Sequence, residues 1–401
     1  MINIQPRKQT PGTLSFDNTK IAFASKNNAQ LRTAFILFKA FHYTWILSLG
    51  NKVVLFGVKY GLPITWLVKK TAFAQFCGGE TIKNSERTIR ELYEFNVGSI
   101  LDYSVEGSDS EAQYESTFQE LLATIDKGEN DDAVPFSVFK VTALSRVSLL
   151  MKVQEGQSLS NNEEVELENT RRRVREICET AASKNVKVFI DAEESWIQEP
   201  IDTFALEMME LYNQNGVIVY NTYQFYRHDK LEDFKRDVAF AKEKGFILGA
   251  KLVRGAYMEK ERARAKNKGY KSPIQPDKES TDRDYNIALE HAIKNIDHVA
   301  ICAGTHNEFS NLYLTKLMKD NKISGDNHNI YFSQLYGMSD HISFNLSEAG
   351  YNVAKYVPYG PIKEVLPYLI RRSEENSAIS GMMGRELSLI VREIERRKRD
   401  V

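Results

Sequence analysis

Eight short runs rich in Val, Ile, Phe and Tyr constrain the fold of this chain more than any other feature of its sequence. The runs span residues 96–106, 136–144, 186–193, 217–225, 246–257, 299–306, 329–338 and 352–360. Longer segments of helical composition, such as 169–185 and 231–245, separate them. Nearly continuous apolar runs that alternate with helices indicate buried parallel strands in βαβ units. Eight such units predict an α/β fold, namely a (β/α)8 barrel of the TIM type, with an N-terminal helical extension.

A doubly wound sheet is the alternative for an alternating pattern of this kind. That fold carries a glycine-rich GxGxxG turn between a strand and a helix, and none of the eight runs ends in such a turn. A Walker A motif and a repeat of 20–50 residues are also absent from the sequence. The barrel is therefore the favoured architecture.

Composition excludes several functional classes. The chain carries 53 Lys and Arg against 54 Asp and Glu, a balance far from that of a dedicated nucleic-acid binder. Aromatic residues make up 11% of the chain, which is too many for an acidic disordered protein. The three cysteines lie far apart and no HxH, HxxH or HExxH motif occurs, so we expect neither a disulfide framework nor a metal site.

The N-terminal quarter has a polar part and an apolar part. Residues 1–30 lack the continuous apolar core of a signal peptide, and we interpret them as an arm or tail. Residues 31–95 are helical in pattern, but lysines interrupt their apolar part too often for a membrane span of roughly 20 residues. One interpretation is a pair of helices packed on the barrel; the other is a basic amphipathic surface that rests on a membrane. The barrel is expected over residues 96–401.

Polar side chains follow the ends of the predicted strands, where the active site of such a barrel lies. They include Lys140, Asp191, Glu193, Glu194, Asn221, Gln224, Lys251, Arg254, Thr305, His306, Asn307, Ser333, Gln334 and Tyr356. A charge inside an apolar run must be paired or face a ligand. Pairing of Lys140 with Asp191 is the structural interpretation, and the whole ring of polar strand ends favours a ligand site.

Two adjacent arginines, Arg371 and Arg372, follow the eighth run on a predicted helix. Glu375 stands four residues after Arg371, so one interpretation is a solvated ion pair on the helix surface. The helix starts near the barrel mouth, however, and paired guanidinium groups suit bidentate binding of a carboxylate.

Six segments at these strand ends together resemble the proline dehydrogenase family, most closely its single-function, mitochondrial-type branch. They are KLVRGAYMEKERARA (251–265), IDAEE (190–194), NTYQFY (221–226), THNE (305–308), QLYGMSD (334–340) and KYVPYGPIKEVLPYLIRRSEEN (355–376). The resemblance implies an FAD-dependent barrel enzyme that oxidises L-proline to (S)-1-pyrroline-5-carboxylate, the first step of proline degradation to glutamate. It also implies that electrons pass to a membrane quinone, with peripheral membrane contact.

Carried over position by position, the resemblance assigns eight residues to the substrate. Lys140, Arg371 and Arg372 would hold the proline carboxylate. The others would organise these cations or pack on the pyrrolidine ring: Asp191, Glu375, Tyr257, Leu335 and Tyr356. For FAD the matching positions are Asn221, Lys251, Val253, Gly255, Ala256, Thr281, Thr305, His306, Asn307 and Ser333.

Three positions depart from the two-function bacterial branch, which has Gln, Arg and Trp where this chain has Asn221, Lys251 and Met258. Lys251 keeps the positive charge but lacks the planar fork of arginine. Relatives that prefer hydroxyproline have a smaller residue in place of Tyr356, so this tyrosine favours proline.

Other functions stay open at this point: a hydroxyproline dehydrogenase, a Schiff-base lyase that uses Lys140 or Lys251, or a non-catalytic scaffold docked on a membrane. The expected location is the inner face of a bacterial membrane, or the mitochondrial matrix in a eukaryote.

Overall fold

A closed barrel of eight parallel strands forms the centre of the computed structural model, which describes residues 14–41, 65–105, 110–378 and 380–400. Strands β1 to β8 follow sequence order around the barrel and are Val97–Tyr103, Phe136–Phe139, Lys187–Ile190, Val219–Gln224, Leu248–Val253, Val299–Gly304, Ile330–Leu335 and Val353–Tyr359. Pairing of β1 with β8, from Val97 with Val353 to Tyr103 with Tyr359, closes the barrel. Each predicted run contains one strand, so the predicted (β/α)8 barrel is confirmed.

Aromatic rings fill the interior of the barrel below its mouth. The rings of Phe136 and Phe189 stack with centroids 4.4 Å apart, and Tyr220 contacts Phe189 edge to face at 5.3 Å. Successive strand residues point to opposite faces, so these residues point inward while their neighbours pack on the helices. The interior is therefore a packed core, and the active sites of such barrels lie at the carboxyl ends of the strands.

Helices surround the barrel and account for the segments between the strands. In chain order, α1 to α16 are Thr19–Ala22, Asn28–Phe41, Thr65–Val68, Ala74–Phe76, Ile82–Tyr93, Glu111–Gly128, Val147–Gln154, Asn161–Ser183, Gln198–Tyr212, Lys230–Lys244, Met258–Lys268, Lys278–Lys294, Glu308–Asp320, Asp340–Glu348, Ile362–Ala378 and Ser380–Arg399. A π-helical turn, Lys69–Phe73, joins α3 to α4, and a 3-10 turn, Val141–Ala143, follows β2. The predicted helices at 169–185 and 231–245 correspond to α8 and α10.

The polar N-terminal segment is described from residue 14 onwards, and from there it packs on the barrel. Phe16 is buried in the main core, and the Arg397 guanidinium of α16 donates to the carbonyl oxygen of Phe23 at 2.9 Å. Lys26 forms a 3.1 Å ion pair with Asp340 of α14. The interpretation of residues 14–30 as an arm or tail is therefore wrong, because buried apolar side chains anchor them; residues 1–13 lie outside the described part.

The apolar segment that follows is described at its two ends, and residues 42–64 lie outside the described part. Helix α2 packs Leu31, Ala34 and Phe38 into a buried cluster with α15 and α16. Its Ile36 and the Trp66 of α3 remain 64% and 62% exposed. None of the helices in the described ranges is long and apolar enough to span a membrane. Packing on the main domain thus accounts for one face of these helices and leaves another face open.

Candidate active site

The carboxyl ends of the strands meet around the carboxylate of Asp191, which follows β3. Its Oδ1 accepts a hydrogen bond from Lys251 Nζ at 2.5 Å, and its Oδ2 accepts one from Lys140 Nζ at 3.1 Å. The Tyr356 hydroxyl donates to the same Oδ2 at 2.9 Å. The structural interpretation of Lys140, a pairing with Asp191, therefore agrees with the observed contact, and Lys251 and Tyr356 take part as well.

Strand alternation explains why side chains so distant in sequence converge here. Asp191 stands two residues after Phe189, and Lys140 stands two residues after Val138; both earlier residues fill the barrel interior. Polar groups that continue an inward face beyond the packed rings emerge in the mouth. The short strands β2 and β3 thus place charged groups just beyond the packed rings, at the mouth of the barrel.

Opposite charges outweigh desolvation in this cluster. Burial favours the neutral acid, but the ammonium groups of Lys251 and Lys140 hold the pKa of Asp191 well below its usual range. Burial also opposes the charge on Lys140, yet Tyr356, Asp102 and Asp191 together hold its pKa well above the ordinary value. Lys140 is therefore a permanent cation near neutral pH.

The ammonium group of Lys251 also lies against two aromatic rings. Its Nζ is 4.6 Å from the ring centroid of Tyr356 and 5.2 Å from that of Phe189. Such cation–π contacts stabilise a cation in a desolvated place. Lys251 is consequently held at the floor of the mouth rather than free to reach outward.

The two arginines of α15 act electrostatically on different side chains of the site. Arg371 is half-buried and contributes to the electrostatic field on the Tyr257 hydroxyl, whereas Arg372 is buried and acts on the ring of His306. The Arg372 guanidinium also lies 5.1 Å from the ring centroid of Tyr368. Glu375 belongs to the same helix, but its side chain lies outside the described part of the chain.

An apolar wall faces these cations. The parallel pairing of β7 with β8 sets Leu335 beside Tyr356. Tyr257 directly precedes α11; burial raises the pKa of its hydroxyl, and nearby Lys140 opposes the shift. Three of the predicted substrate contacts therefore line one opening, next to the lysines.

His306 follows β6 and is fixed by hydrogen bonds at both ring nitrogens. Its Nε2 accepts from the Leu335 backbone N–H at 3.5 Å, and its Nδ1 lies 2.9 Å from Ser339 Oγ. Burial and the nearby cations, Lys355 and Arg372 among them, lower the pKa of this ring to about 3. The imidazole is therefore neutral over the whole working range of pH.

The turn after β5 exposes backbone beside the lysine cluster. Gly255 has φ +130°, and a Cβ added there would meet Tyr226 Cε1 at 2.4 Å. Only glycine tolerates both that conformation and that close approach. Gly255 and Ala256 together present an exposed, side-chain-poor surface, as a close ligand approach would require.

Asn221, predicted as a cofactor contact, points away from the mouth. Its Nδ2 donates to Asp202 Oδ1 of α9 at 2.9 Å, and its strand neighbours in register, Ile190 and Ala250, belong to the outer core. Gln224 lies on the opposite face of β4 and donates to the carbonyl oxygen of Glu193 at 2.7 Å. The prediction for Asn221 is therefore wrong. Both faces of β4 are buried, so its sequence lacks the alternation of polar and apolar residues that would show which side chains point into the barrel.

The other predicted cofactor positions lie at different depths. Thr305 Oγ1 accepts from Arg254 Nη1 at 2.6 Å, and Asn307 caps α13 by accepting from the Ser310 N–H at 3.1 Å. Ser333 lies deeper, where its hydroxyl accepts from Cys302, and Thr281 in α12 donates to the Asp277 carbonyl at 3.3 Å. Val253 ends β5 on the face of Lys251. These hydroxyl and amide groups thus have protein partners, which fixes their rotamers.

Two further acidic groups lie in the mouth: Asp102, which was not singled out from the sequence, and Glu193, which was named at a strand end without a role. Asp102 is buried at the end of β1, on the inward face of Ile100, and contributes to the field on Lys140. Glu193 accepts from the Thr142 N–H at 3.0 Å and from the Thr142 hydroxyl, and burial raises its pKa to about 7. A polar residue two positions after an inward apolar residue is the signal that would have found Asp102.

Comparison with known proteins identifies the family of this chain. The family profile described as proline dehydrogenase matches residues 85–385. Mitochondrial proline dehydrogenase 1 of Dictyostelium discoideum is 31% identical over an alignment of 438 positions, which covers 98% of this chain and 76% of that protein. Hydroxyproline dehydrogenase of Xenopus laevis is 30% identical over 97% of this chain and 91% of its own length.

The fold has solved relatives as well. Proline utilization A (PutA) from Bdellovibrio bacteriovorus matches 90% of this chain with a TM-score of 0.70 at 19% sequence identity, and this likeness concerns the fold alone. The chain spans only 38% of that PutA chain. Since the family profile and the Dictyostelium relative each extend over most of its length, the chain belongs to the proline dehydrogenase family.

Proposed function

We propose that this protein oxidises L-proline to (S)-1-pyrroline-5-carboxylate with FAD as cofactor and a membrane quinone as the final electron acceptor. The observation that carries the proposal is the cationic mouth of the barrel, where Lys140 and Lys251 share Asp191 beside the apolar wall of Leu335 and Tyr356. A small amino acid with a carboxylate at one end and an apolar ring at the other matches this arrangement.

The carboxylate of the substrate would meet Lys140, Arg371 and Arg372. Lys140 is permanently charged, and it shares the carboxylate of Asp191 with Lys251. Charge-assisted hydrogen bonds to guanidinium groups are strong and directional, which would fix the orientation of the ring against Tyr356. Positioning of the reacting carbon is the main task of the protein in such a transfer.

The residues of the mouth fit a flavin. Gly255 and Ala256 leave backbone open to close approach, Lys251 offers a cation, and the neutral His306 offers a flat ring wall. We propose that these residues, with Val253, Thr281, Thr305, Asn307 and Ser333, hold FAD. When bound, FAD supplies the two-electron acceptor for hydride from the substrate carbon.

The substrate amine must be neutral before hydride can leave its carbon. We propose that the cations around the carboxylate site, Lys140 together with the arginine pair, lower the pKa of the bound amine by charge repulsion. A kcat/KM for proline that stays constant from acidic to alkaline pH would contradict this step.

The quinone acceptor implies contact with a membrane. Exposed Ile36 and Trp66 stand among basic residues, and Lys70 Nζ lies 4.4 Å from the Trp66 ring centroid. Aromatic and basic groups on one surface suit the interface of an anionic membrane. We propose peripheral association through this surface, on the inner face of a bacterial membrane or in a mitochondrial matrix.

Hydroxyproline is the second candidate substrate, since a hydroxyproline dehydrogenase is among the relatives. Tyr356 argues for proline, because its ring and hydroxyl occupy the space beside Leu335 and Asp191 that an additional substrate hydroxyl would need. A Schiff-base lyase is disfavoured because nucleophilic attack needs a free, unprotonated amine: the pKa of Lys140 is held high, and the Lys251 ammonium is engaged in the ion pair with Asp191.

The visible absorption spectrum before and after anaerobic addition of L-proline tests the proposal. A flavin spectrum that bleaches with proline would support cofactor and substrate together. Flavin that bleaches only with hydroxyproline would identify hydroxyproline, instead of proline, as the substrate. A protein that stays colourless after addition of FAD would contradict the proposal.

A further inference from the structure

The ring of His306 is held by a loop that is itself held by the C-terminal helix. Because a backbone N–H can only donate, the Leu335 N–H leaves His306 Nε2 as the acceptor. The ring hydrogen of the neutral imidazole therefore resides on Nδ1 and is donated to Ser339 Oγ over 2.9 Å. The orientation of His306 thus depends on the position of one serine hydroxyl.

Ser339 occupies a backbone conformation that needs outside support. Its φ is +50°, in the left-handed region that residues with a side chain rarely adopt. Its N–H donates to Glu386 Oε2 at 3.1 Å, and Glu386 belongs to α16, the last helix of the described chain. A strained residue persists only where its surroundings hold it, and Glu386 supplies that hold.

A chain of contacts continues from Glu386 through His341 to Glu308. Glu386 Oε2 lies 3.5 Å from His341 Nδ1, and His341 Nε2 lies 3.0 Å from Glu308 Oε1. Glu308 follows His306 by two residues in the sequence, and Arg385 of α16 donates to its carboxylate at 2.8 Å. We call these five residues (His306, Ser339, Glu386, His341 and Glu308) the imidazole ring network.

We infer that Ser339 and Glu386 are positioning residues that fix the orientation of His306 for the bound flavin, so that α16 is an integral part of the cofactor site. The inference rests on the proposed function. It extends that function, because neither residue lies on a strand end or contacts the cluster around Asp191. Both are buried, so they act through His306 and the loop that follows β7.

Ser339→Gly is the sharpest variant for a test. Glycine accepts φ +50° without strain and keeps the N–H that bonds Glu386, so only the hydroxyl is removed. Ser339→Asn is the rescue variant, because asparagine tolerates the left-handed region and offers a carbonyl oxygen to Nδ1–H. Glu386→Gln weakens the hold on the backbone N–H by removing its charge.

Glu393→Gln is the matched control on the same helix. Glu393 is fully buried and bonds Arg396 and Arg397 instead of the loop after β7. It reports what a loss of buried charge in α16 does to the fold alone.

The measurements are the dissociation constant of FAD for the full-length apoprotein, by flavin fluorescence, and the midpoint potential of the bound flavin. We expect Ser339→Gly and Glu386→Gln each to weaken FAD binding about tenfold, the effect of one lost hydrogen bond, and both variants to shift the midpoint potential with the same sign. Ser339→Asn should restore most of the affinity for FAD. Glu393→Gln should lower the melting temperature, whereas its dissociation constant for FAD should stay within twofold of the parent value and its midpoint potential should not change.

Unchanged affinity and potential in Ser339→Gly would overturn the inference while leaving the proposed function intact. Equal losses in Ser339→Gly and Glu393→Gln would also overturn it, since a general loss of packing would then explain both. If the parent protein binds no FAD at all, the proposed function fails first, and the inference fails with it.

Discussion

Lys251 and Asp191 form a 2.5 Å ion pair at the floor of the barrel mouth, with both side chains buried. Lys140 contacts the other oxygen of the same carboxylate at 3.1 Å. One negative charge thus serves two positive charges. Asp102 also favours the charge on Lys140, but Asp191 is the carboxylate that both ammonium groups contact.

Asp191→Asn should destabilise the protein strongly. The substitution removes the carboxylate that both ammonium groups contact and leaves Asp102 to act on Lys140 alone, and breaking a buried pair in this way costs about 3–5 kcal/mol. Urea unfolding measures the loss. Asp320→Asn, which breaks the exposed pair of Asp320 with Lys316, is the control and should change the unfolding free energy by less than about 0.5 kcal/mol. A loss of similar size in both variants would mean that Asp191 does not balance the lysines.

Arg371→Ala and Arg372→Ala should each raise the KM for proline while FAD stays bound. A hydrogen bond to a charged group contributes about 1.5–3 kcal/mol, so a rise of roughly 10- to 100-fold is expected. Steady-state kinetics and the flavin absorbance of the purified variants measure the two effects. Arg262→Ala, at an exposed arginine of α11, is the control. Normal turnover at low proline concentration in either arginine variant would refute the proposal that Arg371 and Arg372 bind the proline carboxylate.

Glu193→Gln should stabilise the protein at alkaline pH. Burial raises the pKa of Glu193 to about 7, with Thr142 and Lys140 opposing and Glu194 adding to the shift. Because the folded pKa lies above the unfolded value of 4.5, ionisation costs stability as pH rises from 4.5 and the cost is complete above pH 7, where it amounts to about 3 kcal/mol. The free energies of unfolding of parent and variant should therefore agree at pH 4.5, and that of the variant should be higher at pH 8. Parallel pH curves for parent and variant would contradict this.

His341→Gln should remove stability below neutral pH and little above pH 9. Burial lowers the pKa of His341, but the carboxylates of Glu308 and Glu386 outweigh it and raise the pKa to about 9; the ring of Phe16 is the uncharged neighbour. A folded pKa above the unfolded value of 6.5 gives stability that is full below pH 6.5 and lost as pH rises through 9. Parent and variant should differ by about 3 kcal/mol at pH 6 and converge near pH 9.5. A constant difference across this range would mean that the ring is neutral.

Ile36→Ser combined with Trp66→Ser should weaken binding to anionic liposomes. Each large apolar side chain contributes about 1.5–3 kcal/mol when it leaves water, so sedimentation with liposomes should fall at least tenfold. Both side chains are exposed, so the fold should survive. Val165→Ser, at a side chain of α8 that is 61% exposed, is the control. Binding equal to that of the parent would contradict the proposed membrane surface.

Much of the architecture could be predicted from local patterns. The runs that contain Phe136 and Phe189 are apolar on both faces and short, which is the signature of a parallel strand covered on both sides. Their polar ends, Lys140 and Asp191, could be predicted to converge because the carboxyl ends of parallel strands meet at one edge. The family resemblance added roles for the individual residues.

Direction and long-range pairing were decided by the tertiary structure. A strand buried on both faces gives no alternation, so its sequence did not show that Asn221 points outward to Asp202 while Gln224 lies on the opposite face. The polar composition of residues 14–30 suggested a tail. The sequence could not show that Phe16 is buried, because its burial depends on residues such as His341, more than 300 positions away.

The sequence by itself determined the barrel, most of the charges at its mouth and the family. Only the tertiary structure decided which oxygen of Asp191 each lysine contacts, and that Glu386 of the last helix holds the loop beside His306. The physical reason is that local patterns report whether a residue is buried. Hydrogen bonds and ion pairs depend on where distant segments lie when the chain has packed.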